Sequence, residues 1–144
     1  MVIFLIVTVG GGLAVGYLAR PGAWYAGLRK PAFNPPNRVF GPGWTILYLL
    51  IAVAGWRVYA AAGGEAALIV WIVALALNFL WSPAFFGLHR PTVALAIVFG
   101  LLATIIVFIV VSWPIDLAAA LLFLPYFAWV AFATILNAAV VRLN

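Results

Sequence analysis

Five long apolar runs divide this chain of 144 residues, and the breaks between them are rich in Pro, Gly and Arg. With 69% hydrophobic and 6% charged residues, the chain has too little polar surface to cover a soluble core. Each run is long enough to cross about 30 Å of hydrocarbon as a helix. We therefore predict an all-α integral membrane protein, a bundle of five transmembrane helices whose solvent is membrane lipid.

The runs predict helical spans within one membrane domain over 1–144, at residues 2–19, 43–62, 65–88, 92–112 and 117–143. No basic region or cleavage site marks the first run, so we expect it to be retained as a span. Its Gly12 and Gly16 form a GxxxG pair, which serves either packing inside the bundle or a dimer face. Pro83 and Pro125 should kink the third and fifth spans. Asp116 fits the N-cap of the fifth.

The one long break, residues 20–42, holds five of the nine prolines. Each proline fixes its own φ angle and removes a hydrogen-bond donor, so the segment is stiff. Two interpretations remain open from composition: a linker at headgroup depth, or a preorganised lid over a pocket. Trp24 and Tyr25, ahead of Arg29, predict a short interfacial helix at its start.

Basic residues are distributed unevenly between the two ends of the predicted bundle. Arg57 lies at one end with Glu65 and Asp116, and we expect its side chain to extend outward to the interface. The other six basic residues lie at the opposite end: Arg20, Arg29, Lys30, Arg38, Arg90 and Arg142. The positive-inside rule places that end in the cytoplasm and the N-terminus outside. The net charge of +5 therefore reflects topology, and we expect no nucleic-acid partner.

Residues for acid–base, nucleophilic or metal chemistry are scarce. The chain has no cysteine, a single histidine, His89, and two acidic residues at the same end of the bundle. A catalytic triad, a metal cluster or a glycine-rich phosphate loop cannot be assembled from these residues. We predict no metal site, no resident cofactor and no conventional catalytic residues.

Aromatic and amide side chains recur at helical spacing in three of the runs. They are Trp44 and Tyr48; Asn78, Trp81 and Phe85; and Tyr126, Trp129, Ala133 and Asn137. Asparagine is costly in lipid, so both asparagines should face the bundle interior, either bonding neighbouring helices or lining a pocket. A pocket walled by these rings suits a large planar or sterol-like ligand.

Three blocks of the sequence together match a known family: WYAGLRKPAFNPPNRVFGPGWTILY, NFLWSPAFFG and PYFAWVAFATILN. The chain closely resembles the translocator protein family, TspO/MBR, also called tryptophan-rich sensory proteins and related to the peripheral benzodiazepine receptor. The resemblance implies five membrane helices in a bacterial inner membrane, a homodimer, and a pocket closed by the loop after the first helix. It also implies a set of ligand-binding residues: Trp24, Phe33, Asn34, Trp44, Tyr48, Asn78, Trp81, Phe85, Tyr126, Trp129, Ala133 and Asn137.

Three functions follow from the resemblance. The family binds porphyrins, which implies binding of protoporphyrin IX or haem for sensing, transport or disposal. Some bacterial members degrade protoporphyrin in light, which would make Trp44 and Trp129 photochemical candidates. Eukaryotic members bind cholesterol and benzodiazepine-type drugs, so a sterol or lipid transporter is the third alternative. The tyrosine that the sterol-recognition pattern places after Asn137 is replaced here by Ala138.

Overall fold

The computed structural model describes the backbone of residues 1–144 and every side chain except that of residue 37. Over these residues the secondary structure is helical, without strands. We number the helices α1 (Val2–Leu18), α2 (Ala23–Ala26), α3 (Asn37–Ala60), α4 (Glu65–Gly87), α5 (Pro91–Ser112) and α6 (Leu117–Leu143). Helices α3 to α6 are long and apolar enough to cross a membrane, whereas α1 is apolar but shorter. The all-helical fold is confirmed, with four helices that could cross a membrane, and a fifth span remains a prediction.

Helix α3 begins earlier than the sequence pattern predicts. The expected start was near Gly43, with residues 20–42 as a loop, but the helix begins at Asn37 and includes Pro42. Pro36 precedes it in an extended conformation and acts as the N-cap residue. In lipid a helix is the conformation that satisfies its own backbone groups, so a proline or glycine near its start is tolerated.

Two helices contain a π-helical turn. In α1 this turn covers Ile6–Gly10, and in α4 it covers the last residues, Pro83–Gly87. The N–H of Leu88 closes the second turn by donating to the carbonyl oxygen of Pro83 at 2.8 Å. Pro83 lacks an N–H, so the helix widens there; the predicted irregularity takes the form of a π turn. Pro125 lies inside α6, which continues past it.

The helices surround the bundle axis in the order α1, α3, α6, α5, α4. Helices α5 and α6 share the most extensive interface, followed by α4 with α5 and α3 with α6. Helix α1 contacts α3 mainly through its first half, and its second half lies more loosely against α3 and α4. The segment 19–36, which contains α2, therefore connects the most weakly packed helix to the rest of the bundle.

The bundle is tightly packed at the end away from the segment 19–36. The rings of Phe108 and Phe123 lie 4.0 Å apart, centroid to centroid. The indole N–H of Trp71 donates to the carbonyl oxygen of Ile51 at 2.9 Å. Its ring occupies the space that a Cβ would need at Gly55, so a side chain there would displace it. This arrangement brings α3 and α4 close together and fixes their positions at this end of the bundle.

An ion pair joins α3 to α6 at the same end. The Nε of Arg57 donates to Oδ1 of Asp116 at 3.0 Å, so Arg57 is paired with an acid as well as partly exposed. Asp116 also accepts from the backbone N–H of Ala119 at 3.1 Å, which confirms the predicted N-cap. Burial of Asp116 opposes ionisation, but the Arg57 and backbone hydrogen bonds outweigh it and hold the pKa of Asp116 below its usual value.

Candidate functional site

A cavity of about 570 Å³ lies at the opposite end of the bundle, beside the segment 19–36. Residues of α1, α3, α4 and α6 form its walls, and Pro21, Tyr25 and Asn34 of the segment contribute to its mouth. The volume falls within the range of small-molecule binding sites. Among the described residues that line it, none carries a formal charge. The cavity can therefore hold an apolar molecule.

A chain of hydrogen bonds links three helices at the inner end of the cavity. The hydroxyl of Tyr48 donates to Oδ1 of Asn78 at 2.9 Å, and Nδ2 of Asn78 donates to the hydroxyl of Tyr126 at 2.5 Å. Asn78 is 4% exposed and Tyr126 is 1% exposed. A buried amide is costly unless it is hydrogen-bonded, so these contacts fix the relative positions of α3, α4 and α6.

A second polar pair lies on the wall formed by α4 and α6. The indole N–H of Trp81 donates to Oδ1 of Asn137 at 3.0 Å, and Nδ2 of Asn137 donates to the carbonyl oxygen of Pro91 at 2.9 Å. Pro91 is the first residue of α5, so this bond ties α6 to the start of α5. The amide of Asn137 therefore holds the Trp81 ring in a defined orientation.

Aromatic rings supply two flat walls. Trp44 and Tyr48, one turn apart on α3, stack with centroids 5.7 Å apart and an interplanar angle of 27°. Trp81 and Phe85 of α4, which also line the cavity, lie 5.5 Å apart at 32°. Rings in these orientations present their faces and edges to anything placed between them.

The segment 19–36 is held against the bundle by aromatic contacts. Tyr25 is 6% exposed, packs edge-on against Phe86 at 5.1 Å, and donates its hydroxyl hydrogen to Oδ1 of Asn34 at 3.4 Å. Trp24 stacks on His89, which follows α4, with centroids 4.4 Å apart and planes only 10° from parallel. Trp24 and Tyr25 both lie on α2, which confirms the short helix predicted there.

Glycine in α1 allows close approach at the cavity. A Cβ at Gly12 would collide with the ring of Tyr48, whereas a Cβ at Gly16 would have no heavy atom within 4 Å. Gly12 therefore serves packing inside the bundle. Gly16 is exposed and lies on the cavity lining, so the GxxxG pair has two different environments.

The model of the TspO/MBR family matches residues 3–143 of the chain. The chain belongs to the TspO/MBR family. The match covers all four long helices and nearly all of α1, so the resemblance inferred from the three sequence blocks is confirmed.

Several TspO/MBR proteins are similar over most of their length. Protein CrtK of Rhodobacter capsulatus is 39% identical over 91% of this chain and 84% of its own length. The tryptophan-rich sensory protein of Cereibacter sphaeroides is 38% identical over 96% of this chain and 88% of its own. The translocator protein of Homo sapiens is 39% identical over 84% of this chain and 75% of its own. Relatives from bacteria and animals thus match most of this chain.

The structure brings most of the residues implied by the TspO/MBR resemblance to one cavity. Eight of the twelve lie on its lining: Asn34, Trp44, Tyr48, Asn78, Trp81, Phe85, Ala133 and Asn137. Tyr126 lies behind Asn78 and reaches the cavity through their hydrogen bond. Trp24 is stacked on His89, and Phe33 is 53% exposed, with its ring 6.2 Å from that of Phe132.

Trp129 supports the cavity wall from behind. Its ring packs edge-on against Trp44 at 5.9 Å and against Phe40 at 6.0 Å, and its rim lies over Gly43. The other side of the ring faces a shallow apolar groove between α3 and α6. Its buried Nε1 has no hydrogen-bond acceptor among the described residues, in contrast to the indoles of Trp71 and Trp81.

One wall of the TspO/MBR cavity was not predicted from the sequence. Helix α1 contributes six lining residues: Val9, Gly12, Leu13, Val15, Gly16 and Tyr17. Apart from Tyr17, these residues are aliphatic or glycine, and they do not form a polar stripe. Helical periodicity therefore does not distinguish a cavity wall here from a lipid-facing surface. The pair of Gly12 and Gly16 is the available signal, but a GxxxG pair predicts either helix packing or a dimer face and does not by itself indicate a cavity wall.

The groups that line this site are suited to binding and orienting an apolar molecule. Within the described residues, no group of three His, Cys, Asp or Glu side chains is close enough to hold a metal ion. The cavity instead offers indole, phenol and amide groups, most of which are hydrogen-bonded to each other. Such groups bind flat apolar molecules and supply a few directional hydrogen bonds.

Proposed function

We propose that this chain binds flat, apolar tetrapyrroles, protoporphyrin IX in particular, in the cavity beside the segment 19–36. The observation that carries the proposal is the combination of two aromatic walls with neutral polar groups at the inner end. A planar conjugated ring gains about 0.5–1.5 kcal/mol from each aromatic contact, beyond the burial of its area. Haem shares the ring and fits the same argument.

The amide groups favour a ligand core with hydrogen-bond acceptors. Asn78 and Asn137 each use one N–H in a bond within the protein, to Tyr126 and to the carbonyl of Pro91. Each amide nitrogen carries two hydrogens, so a second N–H remains for a ligand acceptor as far as the described residues are concerned. A ring nitrogen or a carbonyl oxygen of a bound molecule can accept from them.

We propose further that the segment 19–36 acts as a lid over the cavity. Three features support a lid over a linker: the buried Tyr25, the stack of Trp24 on His89, and the prolines that limit backbone freedom. A segment ordered before binding loses less conformational entropy when a ligand arrives. The lid hypothesis predicts that changes in this segment alter the rate of ligand exchange.

The membrane arrangement of the proposal has five spans. Helix α1 is roughly 25 Å long at about 1.5 Å per residue, which suffices for a thin or locally thinned bilayer. The basic end, with the segment 19–36, faces the cytoplasm of a bacterial cell, and the N-terminus lies outside. The homodimer implied by the family resemblance stays a prediction.

A titration with protoporphyrin IX tests the binding function. The purified protein in neutral-lipid nanodiscs is titrated in the dark, and tryptophan fluorescence and porphyrin absorbance are recorded. Trp44→Ala removes a wall and should weaken binding by about tenfold, the loss of roughly 1.4 kcal/mol. Trp56→Ala is the matched control, because Trp56 lies on the same helix at the far end and is 38% exposed.

The outcomes of this titration separate the alternatives. Absence of saturable quenching in the wild type contradicts tetrapyrrole binding. Equal affinity in the Trp44 and Trp56 variants contradicts the location of the site. Loss of the porphyrin absorption bands under illumination indicates the light-dependent degrading enzyme, and displacement of porphyrin by cholesterol indicates sterol binding at the same cavity.

A further inference from the structure

Two tyrosines at the mouth of the cavity each carry a cation on the face of the ring. The guanidinium carbon of Arg20 lies 4.8 Å from the ring centroid of Tyr17, and Nζ of Lys30 lies 4.6 Å from that of Tyr25. Both tyrosines belong to the lining of the cavity. A cation at this distance from an aromatic face is held by attraction to the ring quadrupole. The cavity is therefore neutral inside and positively charged at its rim.

No side-chain carboxylate in this chain is placed to neutralise that rim. The sequence has two acidic residues, Glu65 and Asp116. Asp116 is paired with Arg57, and Glu65 begins α4 at the same, opposite end of the bundle. Within the described residues, the contacts of the Lys30 ammonium group are two backbone carbonyls, both at the long distance of 3.4 Å. The two cations thus keep most of their capacity for an external anion.

The side chain of Lys30 has less conformational freedom than that of an ordinary surface lysine. The ring beneath it is 6% exposed, and the hydroxyl of that same ring is bonded to Asn34. Lys30 itself is half-buried. Its ammonium group is consequently held near the cavity mouth before any ligand binds, which lowers the entropy lost in binding an anion.

We infer that Arg20 and Lys30 form an anion-binding rim that recognises carboxylate groups on the edge of a flat apolar ligand. The body of such a ligand lies between the aromatic walls, and its carboxylates extend to the mouth. This inference rests on the proposed function and narrows it to acidic tetrapyrroles, as distinct from their neutral esters. Hydrogen bonds from a cation to a carboxylate are roughly twice as strong as neutral ones, so the rim discriminates between the two.

A matched pair of ligands tests the rim directly. Protoporphyrin IX has two carboxylates, and its dimethyl ester has the same ring without the charges. Both are titrated into the wild type, Arg20→Gln, Lys30→Gln and the double variant, in nanodiscs of neutral lipid in the dark. Arg142→Gln is the control, because it removes one positive charge at the same end of the bundle, in the last turn of α6.

The expected result is a selective loss. The double variant should bind the free acid at least about tenfold more weakly, from the loss of two charge-assisted contacts, and bind the ester within about twofold of wild type. Lys30→Arg keeps the charge and should restore most of the affinity of Lys30→Gln for the free acid. Arg142→Gln should change neither ligand.

Three results would overturn the inference. The first is an equal loss for acid and ester, because the two residues would then act through packing. The second is an unchanged affinity for the free acid in the double variant. The third is a loss that appears only in vesicles containing anionic lipid, which would assign the cations to lipid headgroups. If the wild type binds neither porphyrin, the proposed function itself fails, and that result is distinct from all three.

Discussion

The side-chain amide of Asn144 exchanges two hydrogen bonds with the backbone of Arg29. The N–H of Arg29 donates to Oδ1 of Asn144 at 3.1 Å, and Nδ2 of Asn144 donates to the carbonyl oxygen of Arg29 at 2.9 Å. The same Nδ2 donates to the carbonyl oxygen of Val140, a residue of the cavity lining, at 2.9 Å. The side chain thus takes the place of a neighbouring peptide group and fastens the segment 19–36 to the end of α6.

Asn144→Ala should release this segment without unfolding the bundle. Both bonds are exposed, so we expect each to contribute about 0.5 kcal/mol, at the low end for hydrogen bonds. Together they correspond to a roughly fivefold increase in the open population, at about 1.4 kcal/mol per factor of ten. Amide hydrogen exchange at Arg29 and the dissociation rate of bound porphyrin measure the change.

Asn144→Asp is the informative control for that experiment. It keeps an acceptor for the Arg29 N–H but removes both donor bonds, so its exchange rate should fall between wild type and Asn144→Ala. Exchange at Arg29 that is unchanged in both variants would show that the aromatic contacts of Trp24 and Tyr25 hold the segment by themselves.

Gly12 and Gly16 give a matched pair of substitutions in α1. Gly12→Ala forces a methyl group into the ring of Tyr48 and should destabilise the protein by about 1–3 kcal/mol, the usual range for overpacking. Gly16→Ala meets no atom and should gain up to about 1 kcal/mol from helix propensity. Thermal denaturation in detergent, followed by circular dichroism, compares them. Equal melting temperatures would contradict the close contact at Gly12.

Trp129 should affect binding through Trp44. Trp129→Phe keeps an aromatic edge against Trp44 and should reduce porphyrin affinity only slightly. Trp129→Ala removes the support behind the wall and should weaken binding by about tenfold, or roughly 1.4 kcal/mol. Trp113→Ala, which removes a tryptophan that is 52% exposed at the other end, is the control. Fluorescence titration gives the affinities, and wild-type values in both Trp129 variants would remove this residue from the site.

The orientation in the membrane can be tested with single cysteines. Gly64, in the turn between α3 and α4, is unsuitable for a cysteine, because the carbonyl oxygen of Val58 occupies the position that its Cβ would take. Ala62 and Ala32 are exposed at opposite ends of the bundle and suit labelling. With the basic end in the cytoplasm, an impermeant thiol reagent on intact cells should label Ala62→Cys and leave Ala32→Cys unlabelled. Labelling of Ala32→Cys alone would reverse the orientation.

The ion pair of Arg57 and Asp116 predicts loss of stability in acid. The pKa of Asp116 is lower in the folded protein, so its contribution is complete above the unfolded value of about 3.9 and is lost as the pH falls through the folded value. Asp116→Asn keeps an N-cap acceptor but not the charge, and should cost about 0.2–1 kcal/mol at neutral pH, as expected for a partly exposed pair.

Melting temperatures measured from neutral to acidic pH test this linkage. The difference between wild type and Asp116→Asn should shrink as the pH falls below about 4. Glu65→Gln removes the other acidic residue and should leave that acid dependence in place. A wild-type curve that parallels Asp116→Asn at every pH would remove Asp116 from the acid response.

Helix positions were predictable because each apolar run ends at residues that stop or cap a helix. Asp116 caps α6 as predicted, and the turn at His89 uses a left-handed backbone angle, φ 54°, where helices usually end on glycine. The start of α3 is predicted too late, because Pro42 lies between two glycines, a pattern that usually forms a turn in water-soluble proteins. In lipid, the requirement to satisfy backbone groups overrides that signal.

The candidate site was predictable for side chains whose polarity is costly in a membrane. Asn78 and Asn137 had to face the interior, and helical spacing then placed Trp81 and Phe85 beside them. Periodicity specifies which face a residue occupies but not its depth relative to another helix. Trp129 was therefore assigned to the pocket on its face alone, whereas the structure places it behind Trp44. The α1 wall, which is apolar, had no such constraint.

The π turn at Ile6–Gly10 lies between the packed first half of α1 and its looser second half, where Leu13 and Tyr17 are more than 60% exposed. Because π turns inside α-helices often mark points of adaptation, we expect this one wall to move while the other three stay fixed by their amide bonds. The aromatic rings cannot separate, so they would strictly limit the thickness of a bound ligand. Helix α1 can move, so it would limit the width of that ligand only loosely. Flat macrocycles that differ in their peripheral substituents should therefore bind in the same orientation. A bulky, non-planar polycycle should not bind, however hydrophobic it is.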